Sequence, residues 1–228
     1  MNFNRFAVFY TAPMGALAEF GAAWLGWDVA RAIAVPHPII AGLETPVAEL
    51  SQGPRKYGFH GTIKPPFRLA QGQTVAALSD AMQALCSRRH AVALDGLELG
   101  QLGRFLALVP MGDTASLAAL AASFVRELDM FRAPLTEAEL IKRRGANLSP
   151  NQEANLVSWG YPYVMDEFRF HMTLTGRMPK KQTSQAHSVL MPIVAPLLPK
   201  PCVIDALTLV GEDDEGRFHQ IQRCALLA

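Results

Sequence analysis

No apolar run in these 228 residues approaches the roughly 20 that a membrane-spanning helix requires. The stretch Met1 to Pro13 lacks the basic-then-apolar order of a secretory signal. Both absences make a cytoplasmic protein without a membrane partner the expectation. Cysteine is scarce. Cys86, Cys202 and Cys224 are odd in number and show no C-x-x-C spacing, which favours reduced, buried thiols over a disulfide framework. Only Cys202 and Cys224 fall where one hairpin would bring two together. Neither sign of charge is in excess: the net charge is +1, with no basic tail. Nothing global therefore demands DNA or a membrane surface, and any anion binding must be local.

What is present is a large apolar fraction, half of the residues, in a length that suits one large domain or two small lobes sharing a core. The most informative stretch is Phe168 to Arg177. Side chains in a strand repeat with period two. Phe168, Phe170, Met172 and Leu174 therefore share a core face, and Arg169, His171, Thr173, Thr175 and Arg177 share the other. Tyr57 to Lys64 has the same grammar, with Phe59 and Ile63 on one face and His60, Thr62 and Lys64 on the other. Each strand carries His-x-Thr preceded by Phe. Two copies point to one site built from two halves.

The rest of the chain is read around these strands. Arg5 to Thr11 is a strand with Phe6, Val8 and Tyr10 on one face, and about Met14 to Leu25 is a helix. Gly26 to Gln52 is irregular, interrupted by Pro36, Pro38 and Pro46. Pro65-Pro66 is expected to end the His60 strand, since proline cannot donate to the ladder. A helix from Thr74 to about Arg88 precedes strands at about Ala91 to Leu99 and Phe105 to Val109. A helix follows from Asp113 to Met130. Within Pro134 to Asp166, Thr136-x-x-Glu139 and Ser149-x-x-Gln152 are capping boxes for two short helices. The loop Trp159 to Tyr163 follows. After the His171 strand come a helix from Lys180 to Leu197 and a hairpin of Val203 to Val210 with Phe218 to Leu226.

Aligning the two His-x-Thr strands exposes an internal repeat. Each is followed by a helix, a strand ending in a Leu-x-Leu pair (Leu97 and Leu99; Leu207 and Leu209), and a strand opening Gly-Arg-Phe (Gly103 to Phe105; Gly216 to Phe218). The histidine-to-phenylalanine spacing is 105 − 60 = 45 in one copy and 218 − 171 = 47 in the other. The expected fold is α+β: a bilobal duplication with two antiparallel sheets facing a central groove and helices outside. It forms one domain over residues 1–228. Its first repeat spans about 57–110, a helical insertion about 133–167, and the second repeat about 168–228.

Two histidines and two threonines across a groove suit phosphodiester chemistry. One neutral imidazole takes the proton of the attacking water or hydroxyl, and the other, protonated, delivers one to the leaving oxygen. The hydroxyls at i+2 donate to the non-bridging phosphate oxygens. Two histidines on separate strands, without cysteine or carboxylate neighbours at ligand spacing, supply too few ligands for a metal. No metal or cofactor is expected. If the pair titrates as ordinary histidines, its pH profile is a bell centred near 6.5.

His60-Gly61-Thr62-Ile63 and His171-Met172-Thr173-Leu174 resemble the paired H-x-T/S-x motifs of the 2H phosphoesterase superfamily, which includes RNA 2′,3′-cyclic phosphodiesterases and 2′-5′ RNA ligase-like proteins. More closely, Tyr57 to Phe67, and Trp159 to Tyr163 ahead of Phe168 to Gly176, are similar to the DUF1045 branch, whose members are often described as phosphonate-metabolism proteins. The resemblance implies a bilobal fold with His60 and His171 as acid/base pair and Thr62 and Thr173 as phosphate ligands. It names no substrate.

The resulting expectation is a metal-independent phosphodiesterase for a small cyclic or nucleotide-linked phosphodiester, linked to phosphonate metabolism by resemblance alone. The rivals are a 2′-5′ ligase or cyclic phosphodiesterase on RNA ends and a non-catalytic binder of a phosphorylated ligand. The near-neutral charge favours a small metabolite over RNA. Further substrate-binding candidates are Lys64, Arg169 and Arg177, on the polar strand faces where solvated cations are equally at home. Arg143 ends a short helix, where the dipole alone favours a cation. Tyr161 and Tyr163 offer a stacking wall for a base. Tyr10 and Tyr57 are weaker candidates. His37, His90, His187 and His219 are read as structural.

Overall fold

In the computed structural model, which describes residues 2–228, the chain opens with β1 (Arg5–Tyr10), α1 (Ala16–Leu25), β2 (Trp27–Asp28), β3 (Ile33–Ala34), α2 (Val47–Leu50) and β4 (Gly61–Phe67). The middle comprises α3 (Val75–Cys86), β5 (Val92–Leu94), β6 (Gly96–Leu102), β7 (Phe105–Met111), α4 (Ala115–Glu127), α5 (Glu137–Arg144) and α6 (Pro150–Trp159). The chain closes with β8 (Met172–Thr173), α7 (Lys180–Val194), β9 (Cys202–Ile204), β10 (Ala206–Glu212) and β11 (Phe218–Ala225). Among the described residues no helix is long and apolar enough to cross a membrane.

Seven strands form one sheet in the order β11-β10-β1-β4-β8-β7-β6, and every pairing between them is antiparallel. The two sheets expected from the sequence are thus two arms joined at a narrow seam, where β4 meets β8 only through Gly61 and Met172. Counting from the histidines, Gly61 and Met172 hold equivalent places in the two motifs. A second cross-repeat contact has the same character. β5 pairs β9 with Ala93 opposite Val203, flanked by Val92 opposite Ile204 and Leu94 opposite Cys202. Ala93 and Val203 are equivalent positions too, each two residues before an aspartate, Asp95 or Asp205, that breaks the long strand read from sequence. Equivalent residues pairing with one another is the signature of an approximate twofold axis.

The repeat is not carried through every strand. β7 sits between β8 and β6, whereas its sequence counterpart β11 lies on the outer edge, beyond β10. β1, which precedes both repeats, takes the place beside β4. The strands opening Gly-Arg-Phe are therefore equivalent in sequence and not in space.

Pro65-Pro66 does not end β4. The strand runs on to Phe67, which pairs with Phe6. Beyond Gly61 the β8 side of β4 has no strand partner, so the missing proline N–H groups cost no ladder bond there. The register slips by one between Val8↔Lys64 and Phe9↔Thr62, which leaves Ile63 as the extra residue of a bulge. Both sequence-read capping boxes form. Thr136 and Ser149 accept from the backbone of Glu139 and Gln152, whose side chains bond back to the cap residues. All three cysteines are free and buried.

Helices α3, α4 and α7 cover the apolar face, packing on β10–β11, β4 and β6–β7 respectively. Phe170, Met172 and Leu174 are buried there, each contributing about 1.5–3 kcal/mol by removal from water. The seam depends on Gly61 having no side chain. A Cβ there would stand 2.3 Å from the Phe170 ring, itself 5% exposed. Gly61→Ala is expected to overpack the seam and cost about 1–3 kcal/mol, read as a lower denaturant midpoint. An unchanged midpoint would show that the seam has slack.

Candidate active site

The register of the seam assembles the site. With Gly61 opposite Met172, continuing the antiparallel pairing sets His60 across from Thr173 and Thr62 across from His171 (60 + 173 = 62 + 171 = 61 + 172). Gly61 and Met172 are buried beneath. The four polar residues share the opposite face, each histidine facing the other motif's threonine.

Both imidazoles are oriented in the same way. His60 Nδ1 donates to the Gly58 carbonyl at 2.9 Å, and His171 Nδ1 donates to the Arg169 carbonyl at 2.8 Å. A carbonyl only accepts, so each bond fixes the proton on Nδ1 and leaves Nε2 for chemistry. His60 Nε2 meets the Thr62 hydroxyl at 3.1 Å. The carbonyl of Gly58 is placed by a backbone that a side chain would disrupt: its φ is +67°, and a Cβ would meet Val29 at 2.0 Å.

The surroundings of the two histidines differ. His60 stacks on Phe9 with ring centroids 3.8 Å apart and planes 27° apart, and Tyr57 lies 5.9 Å away. Phe9 belongs to a small cluster with Trp27, Val29, Val210 and Phe218 behind the histidine. Burial here pushes His60 down to about 4; the Gly58 carbonyl opposes the shift, and the charge of His171 adds to it. His171 has only Phe105 as a near ring, at 5.9 Å.

Two adjoining cavities open on this face. One, of about 770 Å³, is lined by His60, Thr62, Thr173, Arg5, Tyr57 and Arg143, among others. The other, of about 460 Å³, is lined by His171, Arg169 and the apolar side chains of Leu102, Phe105, Val164 and Phe168. Thr62, Pro65, Tyr161 and Tyr163 line both and so stand between them. Tyr161 and Tyr163 meet edge to face at 5.8 Å, and the Arg143 guanidinium lies 4.7 Å from the Tyr161 ring centre. The segment from α5 to Tyr163 thus supplies the outer wall. Among the described residues no three His, Cys, Asp or Glu side chains converge to hold a metal ion.

The structure brings His60, Thr62, His171, Thr173, Arg169, Arg143, Tyr161 and Tyr163 to these cavities, and two other sequence candidates elsewhere. Lys64 is turned inward by the bulge and is 2% exposed. Its ammonium donates to the Val125 carbonyl at 2.9 Å and lies 3.6 Å from Asp129. Burial pushes Lys64 down to about 8, against the pull of Asp129. It lines neither cavity. Arg177 is exposed beyond β8 and also lines neither. The alternation read through Thr175 stops at Leu174: Thr175 is 1% exposed and its hydroxyl accepts from the Leu106 N–H. Arg5, Phe9 and Lys142 join the His60 cavity or its wall without having been singled out from sequence. Arg5 and Phe9 share the face of β1 opposite Phe6, Val8 and Tyr10. That signal becomes meaningful only once β1 is known to pair with β4.

An antiparallel α+β chain with a duplicated His-x-Thr face defines the class of protein. The chain belongs to the DUF1045 family, "Protein of unknown function (DUF1045)", whose model matches residues 62–219. It is 35% identical over 229 residues to the Janthinobacterium sp. (strain Marseille) protein named ribose 1,5-bisphosphate phosphokinase PhnN, a match covering 97% of this chain and 51% of that one. The protein of the same name from Laribacter hongkongensis (strain HLHK9) is 32% identical over 177 residues, 76% of this chain and 40% of that one. The chain spans about half the length of the curated relatives it matches. Solved structures that align over 100% of both chains include a phosphoesterase at 17% identity, with a TM-score of 0.46. Another is E. coli LigT complexed with 3′-AMP, at 16% identity and 0.44.

The depressed His60 value carries a sign. Its folded value lies below the unfolded 6.5, so its contribution to stability is complete above about 6.5 and is lost as pH falls towards 4. In an imidazole NMR titration His60 is expected to protonate near pH 4. A midpoint at or above 6.5 would show that stacking on Phe9 does not hold it neutral.

Proposed function

We propose that this protein is a metal-independent, cytoplasmic phosphodiesterase acting on a small cyclic or nucleotide-linked phosphodiester. The observation that supports the reading is the seam contact of Gly61 with Met172, which brings the two His-x-Thr motifs together, with both histidines and both threonines lining the two adjoining cavities.

In this reading the phosphodiester lies between the motifs. His60, held neutral by burial, accepts the proton of the attacking water at Nε2 while its Nδ1 proton stays on the Gly58 carbonyl. The water oxygen bonds to phosphorus and the bond from phosphorus to the leaving oxygen breaks. That oxygen takes a proton from Nε2 of protonated His171, whose Nδ1 proton is held by the Arg169 carbonyl. The Thr62 and Thr173 hydroxyls donate to the non-bridging oxygens. For Thr62 this means releasing the bond it makes to His60 at rest. One turnover moves a proton from water to His60 and one from His171 to product, so exchange with solvent restores the pair. The threonine donors and two imidazoles supply charge stabilisation and proton transfer without a metal.

The cavity volumes suit a small molecule better than a polymer. The curated relatives are named for a doubly phosphorylated ribose, which supports a phosphorylated sugar derivative in phosphonate metabolism. Their kinase name is not carried over, because this sequence has no G-x-x-x-x-G-K-[S/T] loop to cradle a nucleotide triphosphate.

A panel of cyclic phosphodiesters, assayed with purified protein, tests the reading. Turnover should persist in excess chelator, and His60→Ala or His171→Ala should each cost on the order of 10²–10⁴-fold. The acid limb of kcat/KM should fall near pH 4 and not around 6.5. Near-parent turnover in either alanine variant, or metal-restored activity after chelation, would overturn the mechanism.

A further inference from the structure

The two His-x-Thr pairs do not account for the charge on the outer wall of the His60 cavity. That wall holds Arg5 from β1 with Glu139, Lys142 and Arg143 from α5. Arg5 is committed, since its guanidinium forks onto the Glu212 carboxylate. Glu139 is committed as well. It pairs with Arg68 at 3.0 Å, and the Arg68 and Thr136 bonds hold it down to about 2 against a smaller effect of burial. Among the described residues neither Lys142 nor Arg143 has a carboxylate partner.

Position at a helix C-terminus explains why cations end α5. It does not explain which way they point. Arg144 turns out to Glu153, at 2.6 Å. Arg143 instead turns in, partly buried, over the Tyr161 ring. An aromatic face steadies a guanidinium without using its N–H donors, so the planar fork stays available for a tetrahedral oxyanion. Exposed Lys142 and half-buried Arg143 thus leave positive charge on this wall that no carboxylate offsets.

We infer that the substrate is doubly anionic: besides the phosphodiester between the histidines, it carries a terminal phosphoryl or phosphonyl group that binds Arg143 and Lys142. This rests on the phosphodiesterase reading and adds the substrate class to it. His60 and Arg143 line one cavity of about 770 Å³, so both groups belong to one small molecule. Arg143 and Lys142 set specificity for the remote group and take no part in the proton transfers.

Two matched probes test it: adenosine 2′,3′-cyclic phosphate and the same compound carrying a 5′-phosphate. For the parent protein, kcat/KM should be on the order of 10–100-fold higher for the 5′-phosphorylated probe, the range of one or two charge-assisted hydrogen bonds. In Arg143→Gln, and in Arg143→Gln with Lys142→Gln, the ratio should fall towards one. Equal rates for the parent, or a ratio that survives both substitutions, would overturn the inference while leaving the phosphodiesterase reading intact. If neither probe is turned over, calorimetry with phenylphosphonate decides the anion site independently of turnover. Binding that weakens at least tenfold in Arg143→Gln supports the site, and equal binding overturns it. Circular dichroism of the variants checks that α5 remains folded.

Discussion

One antiparallel contact between two motif strands governs this structure. Gly61 and Met172 lie 111 residues apart in the chain and pair at the seam of the sheet. Their pairing decides which side chains meet across it. A slip of one residue would send one motif's histidine and threonine to the apolar face. The register is held by what lies beneath. Phe170 and Met172 are buried, and the Phe170 ring fills the space where a side chain on Gly61 would project. The glycine of the first motif and the phenylalanine of the second are therefore complementary parts of one contact.

Duplication supplies two imidazoles held alike, each by the carbonyl two residues upstream. Their surroundings make them unlike. Here the difference comes from outside the repeat. β1 precedes both copies and occupies the position beside β4, which places Phe9 against the His60 ring. The neighbouring arm offers His171 no such stack. An asymmetric strand inserted in a near-symmetric frame thus buries one of two residues that sequence alone presents as equals, and burial lowers the proton affinity of His60.

The segment from α5 to Tyr163 has a comparable role for charge. Near-neutral overall balance hides a local arrangement in which Glu139, Arg144 and Arg5 are paired off while Lys142 and Arg143 are left on the cavity side. The two capping boxes fix where α5 and α6 begin. That fixes the helical phase at which each cation projects.

Strand periodicity, capping boxes and the repeat were legible because each depends on neighbours within a few residues. The α+β class, the His-x-Thr faces of His60 and His171, and the starts of α5 and α6 follow from such local patterns. Other features depend on partners far along the chain. The bulge at Ile63 arises from pairing with β1 and turns Lys64 from the polar face into the interior, where Val125 and Asp129 satisfy it. Pro65 and Pro66 stay within β4 because the β8 side of the strand is open there. Thr175 leaves the alternation to satisfy Leu106. The sequence by itself determined which residue types each strand would present, since period two is a property of the extended backbone. Only the tertiary structure decided which of them meet, because register, bulges and burial are set by contacts between segments far apart in the chain.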